Sequence, residues 1–339
     1  MSQPRSRILG TGHYLPSTVR TNHDLEKMVD TSDAWITERT GIRERRIAPE
    51  GIVTSDMATG AAKNALEAAG VSASELDMII VGTVTPDMPM PATAAFVQQK
   101  LGAGPCPSFD LSAACAGFVF GLSIADQFIG MGAMKRVLVV GVELLSRVID
   151  WQDRTTCILF GDGAGAVVLG PADNAQNGQH GTPRSPRGIL STSIHTDGSL
   201  AESLWIPGGG SVTPVSHEMI DQKKHKVAMR GQDIFKFAVK NLYGTSKSAL
   251  DAAGMTSGDV DWVCAHQANL RIINPVVSRL GVAEEKVLIN IDRVGNTSSA
   301  SIPILLDENV RNGKIKAGDT VLMCALGAGI SWGSALVRM

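Results

Sequence analysis

A thiol, an imidazole and a carboxamide stand at positions where each could act on a substrate: Cys115, His266 and Asn296. Cys115 follows the strand-like run Ser108-Phe109-Asp110-Leu111-Ser112 and two small residues, and it opens the apolar helical stretch Ala116-Gly117-Phe118-Val119-Phe120-Gly121-Leu122. The start of a helix offers unpaired N–H groups and partial positive charge, which favour a thiolate and can hold an oxyanion. A lone cysteine among apolar residues is more often inert filling, so Cys115 counts as a nucleophile only with partners. His266 follows the strand pattern Trp262 to Ala265 and is expected at a strand end, where α/β ligand sites form. Asn296 lies in the turn Gly295-Asn296-Thr297-Ser298-Ser299 ahead of an apolar helix, where its ordinary role would be capping. The remaining histidines, His13, His23, His180, His195, His217 and His225, read as structural.

The elements that must position these groups show an internal repeat. Lys63-Asn64-Ala65-Leu66-Glu67-Ala68-Ala69-Gly70-Val71 aligns without a gap with Lys247-Ser248-Ala249-Leu250-Asp251-Ala252-Ala253-Gly254-Met255, an offset of 247 − 63 = 184 residues. The same offset relates Asp77-Met78-Ile79-Ile80 to Asp261-Trp262-Val263-Cys264, and Val137-Leu138-Val139-Val140 to Val321-Leu322-Met323-Cys324. Each copy reads as a Gly-terminated helix (Ser55 to Ala69; Asp233 to Ala253) and then a buried strand (Met78 to Gly82; Trp262 to Ala265). The expected class is therefore α/β with two duplicated halves. Residues 1–171 form a first half carrying the cysteine, 172–232 connecting loops and an excursion, and 233–339 the core of a second half carrying His266 and Asn296. The helix after Cys115, apolar nearly all round through Phe128 and Ile129, is expected to be buried between two sheets. Pro171 to Arg187 reads as a loop and Gly208 to Arg230 as irregular, with Lys223, Lys224, Lys226 and Arg230 a solvated surface.

Bulk composition narrows the function classes. With 339 residues, 44% hydrophobic and 19% charged, the chain supports a large core, and its length suggests two domains. A net charge of −2 argues against general nucleic-acid binding. Five scattered cysteines without a C-x-x-C pair form neither a disulfide framework nor a zinc site, and suit a reducing compartment. The start of the chain lacks a signal-peptide core, and no stretch approaches the roughly 20 apolar residues that span a bilayer. The expectation is a cytoplasmic protein. Gly161-Asp162-Gly163-Ala164-Gly165 runs into a strand rather than a helix, so its glycines indicate close backbone approach rather than a nucleotide loop.

Taken together, the chain resembles the thiolase superfamily, and most closely its β-ketoacyl-acyl-carrier-protein synthase III group. The resemblance is carried by Asp30-Thr31-Ser32-Asp33-Ala34-Trp35-Ile36, Thr40-Gly41-Ile42-Arg43-Glu44-Arg45, Ala114-Cys115-Ala116-Gly117-Phe118, Gly161-Asp162-Gly163-Ala164-Gly165, His266-Gln267-Ala268-Asn269-Leu270-Arg271 and Gly295-Asn296-Thr297-Ser298. It implies a five-layer αβαβα fold, usually dimeric. It also implies a decarboxylating condensation of a short acyl-CoA with malonyl-acyl carrier protein, initiating fatty-acid synthesis. Cys115 would carry the acyl group, its N–H and that of Gly329 would hold the oxyanion, and His266 and Asn296 would stabilise the enolate. No metal or bound cofactor is implied; the CoA thioester is a substrate.

By the same resemblance Trp35 stacks on the adenine, Arg154 faces it and Arg39 lies near the phosphates. Gly231, Phe235, Ala268 and Asn269 line the pantetheine tunnel. Lys236, Arg271 and Arg279 meet the acidic carrier protein. Met90 stands where relatives commonly have Phe, in the loop closing the acyl pocket of the neighbouring subunit. A slimmer, more flexible side chain there implies tolerance of primers longer than acetyl, or branched. Degradative thiolases use a second cysteine where Ala325 stands, with Cys324 one residue off and facing away, and elongating synthases use a second histidine where Asn296 stands. The alternatives kept open are a starter synthase of specialised metabolism, including plant-type polyketide synthases, and a non-catalytic carrier-protein-binding scaffold.

Overall fold

The computed structural model describes residues 4–172 and 187–339. Most of the expected Pro171 to Arg187 loop, with His180, lies outside the described residues. Two sheets organise the chain. The first has five strands in the order Ser6–Tyr14, Gly163–Pro171, Val137–Glu143, Met78–Gly82 and Ser108–Leu111. The second has four, in the order Trp262–Ala265, Thr320–Gly327, Ser331–Arg338 and Gly188–Thr196.

The repeat seen in the sequence is a repeat of register. Met78 pairs with Val137 in the first sheet and Trp262 with Val321 in the second, both in parallel strands, and 262 − 78 = 321 − 137 = 184. Even the strand starts are built alike. The Asp77 carboxylate accepts the Arg136 N–H at 2.9 Å, and the Asp261 carboxylate accepts the Thr320 N–H at 2.8 Å.

Burial on both faces explains why these strands read as continuous apolar runs. Ile79, Val81, Leu138 and Val140 pack outward against the helices Thr54–Ala69 and Thr93–Leu101, while Met78, Ile80, Val137 and Val139 pack inward. In the second sheet Leu322, Cys324 and Leu326 face the outer helices Gly231–Ala252 and Leu270–Leu280, and Val321, Met323 and Ala325 face inward. Cys324 and Ala325 do point to opposite sides. Between the sheets lie the helices Gly117–Gly130 and Ser301–Arg311, completing five layers. The central helix is buried through Phe118, Val119, Leu122 and Ile129, whereas Phe128 near its end is exposed.

Glycines let the layers meet through their backbones. A Cβ at Gly141 would overlap the Ser299 carbonyl, and one at Gly165 would stand 2.6 Å from the Ile304 nitrogen. Close approach is thus what the Gly161 to Gly165 motif provides.

Two expectations about the middle of the chain are corrected. Gly188–Thr196, inside the stretch 172–232 expected to hold only connections and an excursion, is an edge strand of the second sheet. Its Ser-Thr-Ser run conceals the apolar pattern. Residues 208–230 contain the helix His217–Asp221 and the strand Ala228–Met229, which pairs with Leu204–Trp205. Lys223 is not merely solvated: its Nζ donates to Asp150 Oδ2 at 2.7 Å and Gln152 Oε1 at 3.1 Å, and Lys226 reaches the Arg147 carbonyl at 3.0 Å. These contacts fasten the excursion to the first half. No helix among the described residues is long and apolar enough to cross a membrane.

Candidate active site

Cys115 sits in the tight turn Ala114–Ala116 that joins the strand Ser108–Leu111 to the central helix. Ala114 takes φ 45°, a left-handed conformation unfavourable for a residue with a Cβ. Gly327 of the second half packs so closely on the Cys115 nitrogen that no side chain fits between them. His266 directly follows its strand and donates its N–H to the Cys324 carbonyl at 2.8 Å. Asn296 is held on both sides of its backbone, donating to the Leu159 carbonyl at 2.9 Å and accepting from the Gly161 N–H at 3.0 Å. Its Oδ1 accepts the Ser298 N–H at 2.8 Å, which leaves the Nδ2 hydrogens to be given elsewhere.

These three side chains, brought from positions 115, 266 and 296, line one cavity of about 160 Å³ together with Leu159, Phe160 and Leu204. A second cavity, of about 230 Å³, shares Cys115, Phe160 and Leu204 with the first and is almost wholly apolar, lined also by Val84, Leu145, Trp205, Ile206 and Val227. Its shape and lining suit a short hydrocarbon.

Burial dominates the electrostatics. It pushes the Cys115 thiol up to about 12, with the Ser298 side chain acting against the rise and Glu143 adding to it. It lowers His266 to about 3, so the imidazole is neutral at ordinary pH. The expectation that the surroundings of Cys115 favour a thiolate is therefore corrected. The residue sits in a turn ahead of the α-helix, and loss of water outweighs the helix end. What rests in the chamber is a thiol beside a neutral base. His266 Nδ1 is buried without a hydrogen-bond partner, which leaves both ring tautomers open.

Outward from this chamber, Leu159, Met229, Gly231, Phe235 and Asn269 continue into a wider cleft of about 570 Å³ lined also by Trp35, Arg39, Lys236 and Arg271. The Arg154 and Arg39 guanidiniums lie 4.8 and 5.2 Å from the centre of the Trp35 ring. Ala268 lines the inner chamber, and Asn269 caps the helix Leu270–Leu280 by accepting the Arg271 N–H at 2.8 Å.

Three predicted residues stand apart. Arg279 lies in a separate cleft with Tyr243 and Lys247, near the far end of the helix that begins beside Arg271, so it does not share the mouth. Gly329, at φ 125°, occupies the turn Ala328–Ile330, where the preceding Ala328 lines the apolar cavity beside Cys115. Met90 is 84% exposed on the loop ahead of the helix Thr93–Leu101 and lines neither cavity beside Cys115 in its own chain.

Sequence reasoning missed Glu143 and Ser298. Both are buried at the nucleophile, and the one available signal was an acid closing an otherwise aliphatic strand, Val137–Glu143. Among the described residues no group of three or more His, Cys, Asp or Glu side chains is placed to hold a metal ion.

Residues 109–198 match the family profile 3-Oxoacyl-[acyl-carrier-protein (ACP)] synthase III, and residues 250–339 match its C-terminal counterpart. The chain is similar to the beta-ketoacyl-[acyl-carrier-protein] synthase III of Caldanaerobacter subterraneus subsp. tengcongensis, with 50% identity covering 98% of this chain and 97% of that one. Among solved structures it is similar to 3-oxoacyl-[acyl-carrier-protein] synthase III from Aquifex aeolicus, with TM-score 0.89 and 46% identity over 98% of this chain and 100% of that one. It is also similar to the priming beta-ketosynthase of the R1128 polyketide pathway, with TM-score 0.89 and 37% identity over 100% and 98%.

Proposed function

The chain belongs to the 3-oxoacyl-acyl-carrier-protein synthase III family, and from that premise we propose that it joins a short acyl-CoA to malonyl-acyl carrier protein, releasing CoA and CO₂ and giving the 3-oxoacyl carrier protein that begins fatty-acid synthesis. The observation that carries this reading is the single chamber shared by Cys115, His266 and Asn296, with an apolar cavity beyond the sulfur and a cationic mouth before it.

In the first step the neutral His266 ring takes the thiol proton as Cys115 Sγ attacks the thioester carbonyl, and the proton leaves with the CoA sulfur. A resting thiolate is not required, because proton transfer and attack proceed together. The N–H groups of Cys115 and Gly329 are the donors assigned to the tetrahedral oxyanion. In the second step malonyl loses CO₂. Its thioester enolate is held by the His266 Nε2–H and the Asn296 Nδ2–H, and the carbanion attacks the acyl-cysteine, breaking its C–S bond and expelling the Cys115 thiolate, which regains a proton. Neutral donors suit this task, since an acid in the same place would protonate the carbanion. Accepting in the first step and donating in the second call for opposite ring tautomers, and no hydrogen bond at Nδ1 locks the ring in either one.

At the mouth Trp35, Arg39 and Arg154 bind the nucleotide of CoA, the purine exchanging a guanidinium contact for stacking on Trp35. Gly231, Phe235, Ala268 and Asn269 line the pantetheine path. Lys236 and Arg271 receive the acidic carrier protein. The active form is a homodimer in which Met90 reaches the partner's acyl pocket and widens the primer range. Five free cysteines suit the reducing cytoplasm. The reaction needs no metal or resident cofactor, since the thioester itself makes the α-carbon acidic.

Brief incubation with radiolabelled acetyl-CoA tests the assignment. Acid-stable label on Cys115 is the expected result, and equal labelling of Cys115→Ala overturns it. The likeness to a priming ketosynthase favours a second reading, a starter synthase of specialised metabolism with the same chemistry. Turnover across acyl-CoAs of increasing length and branching, with malonyl carrier protein as extender, separates the two, and strict acetyl preference would remove the role given to Met90.

A further inference from the structure

Glu143 delivers a carboxyl group to the interior at the end of an aliphatic strand, with no exposure to solvent. The groups that hold it are neutral. The Val84 N–H lies 3.2 Å from Oε1 and 3.3 Å from Oε2, and Thr85 Oγ1 donates to Oε2 at 2.7 Å. Ser298 Oγ and Ser299 Oγ lie 3.3 and 3.2 Å from Oε1.

Counting hydrogens shows what this arrangement requires. A serine hydroxyl has one proton. Ser299 places its oxygen 2.7 Å from the Gly82 carbonyl, which can only accept, so it meets Oε1 with a lone pair. Ser298 lines the apolar cavity together with Cys115 and lies 3.3 Å from Oε1, and its single hydroxyl proton can serve only one acceptor at a time. It is also held at φ 51°, and its backbone N–H fixes the Asn296 amide.

We propose that Glu143 is a positioning residue for the nucleophile: with a proton on Oε1 it donates to Ser298 Oγ and turns that O–H toward Cys115, and when ionised it draws the O–H back. This rests on the reading of Cys115 as nucleophile. The titratable groups facing this network are the Cys115 thiol and, within the same chamber, His266. The groups meeting Glu143 from the 84–85 segment and the 298–299 turn, namely Val84, Thr85, Ser298 and Ser299, are uncharged. Burial raises Glu143 to about 7, so the switch falls in the working range of pH. Above that point the carboxylate both withdraws the hydroxyl and adds a like charge near the sulfur, and Cys115 becomes less nucleophilic than a rising pH alone would make it.

The test is the rate of iodoacetamide alkylation at Cys115 against pH, with peptide mapping to separate it from the partly exposed Cys106. In the wild-type chain the rise with pH should flatten near pH 7. Glu143→Gln offers a permanent N–H donor, so it should keep the rate below that point and remove the flattening, giving about a fivefold faster reaction near pH 8.5. In a Ser298→Ala background the same Gln substitution should have a clearly smaller effect, since only the like-charge part is left to remove. A wild-type-shaped profile in Glu143→Gln, or an equal effect with and without Ser298, overturns the proposal. Should the Gln chain fail to fold, Ser298→Ala alone decides, since without the hydroxyl the flattening must shrink to the part due to like charge, and an unchanged profile overturns the proposal. Absence of acyl label on Cys115 would sink the condensation reading instead, and would leave this alkylation profile as it is.

Discussion

The chamber at Cys115 and the mouth at Trp35 lie on one channel, sharing Leu159, Met229, Gly231, Phe235 and Asn269, yet they use charge in opposite ways. Inside, the loss of water drives every titratable group toward neutrality: Cys115 and Glu143 upward, His266 downward. Outside, Arg39, Arg154, Lys236 and Arg271 lie partly in water, a cationic set of the kind that pairs with phosphates and carboxylates. The difference teaches a division of labour. On the proposed reading, charge at the mouth captures an anionic carrier, and neutral donors in the chamber act where charge appears only during reaction.

Substitutions can break that division at either end, and the largest effect belongs to the chamber. Cys115→Ala should lower condensation at least about ten-thousandfold and abolish acyl label, measured by turnover and intact mass. Asn296→Ala should take up the acyl group normally and His266→Ala more slowly, having lost the proton acceptor, while in both the release of CO₂ from malonyl carrier protein falls about 100- to 1000-fold. If either variant decarboxylates normally, the donors have been misassigned.

At the mouth the effect should fall on binding. Arg154→Ala or Trp35→Ala should raise KM for acyl-CoA about tenfold with kcat nearly unchanged. A comparable loss in kcat would mean that the two regions are not separable. Arg271→Ala should weaken only the carrier-protein step, by a factor that shrinks as salt screens the contact, which a titration at low and high ionic strength reads directly.

The smallest effect sharpens the account of the chamber through stability. His266 has its folded pKa lowered from 6.5 to about 3, so its contribution is present above 6.5 and lost as pH falls through that window. Glu143 is raised from 4.5 to about 7, so its folded state holds the extra proton and stability is lost as pH rises from 4.5 through 7. Relative to wild type, His266→Gln should therefore lose less Tm on going from about pH 6.5 to 4.5, and Glu143→Gln less from about pH 5 to 7.5. Each difference should be about 3 °C or more by calorimetry.

Much of the positioning frame was legible in the chain. The 184-residue offset gave the strand registers themselves, because paired strands buried on both faces must repeat the same apolar pattern. Cys115 and His266 were legible because a strand-to-helix turn and a strand end are local signals. Ser298 and Glu143 were not, since a polar network assembled from residues 84, 85, 143, 298 and 299 leaves no local pattern. The thiol's protonation was misjudged for a related reason. A helix start is visible in sequence, whereas the depth of burial that overrides it depends on the Gly327 turn arriving from the other half. The strand Gly188–Thr196 and the docking of Lys223 were hidden by polar composition.

The glycine contacts that join the layers also restrict how the molecule can move. Where Gly141 meets Ser299 and Gly165 meets Pro303 and Ile304, main chain rests on main chain, with no side chain between to slide or change rotamer. A seam of that kind resists shear, so reactant traffic cannot depend on prising the sheets apart. The wall of the apolar cavity comes in part from segments outside that seam, Val84 of the 83–92 loop and Leu204, Trp205, Ile206 and Val227 of the 204–230 excursion. Altered substrate taste can accumulate in those segments while the distances among sulfur, imidazole and amide stay fixed.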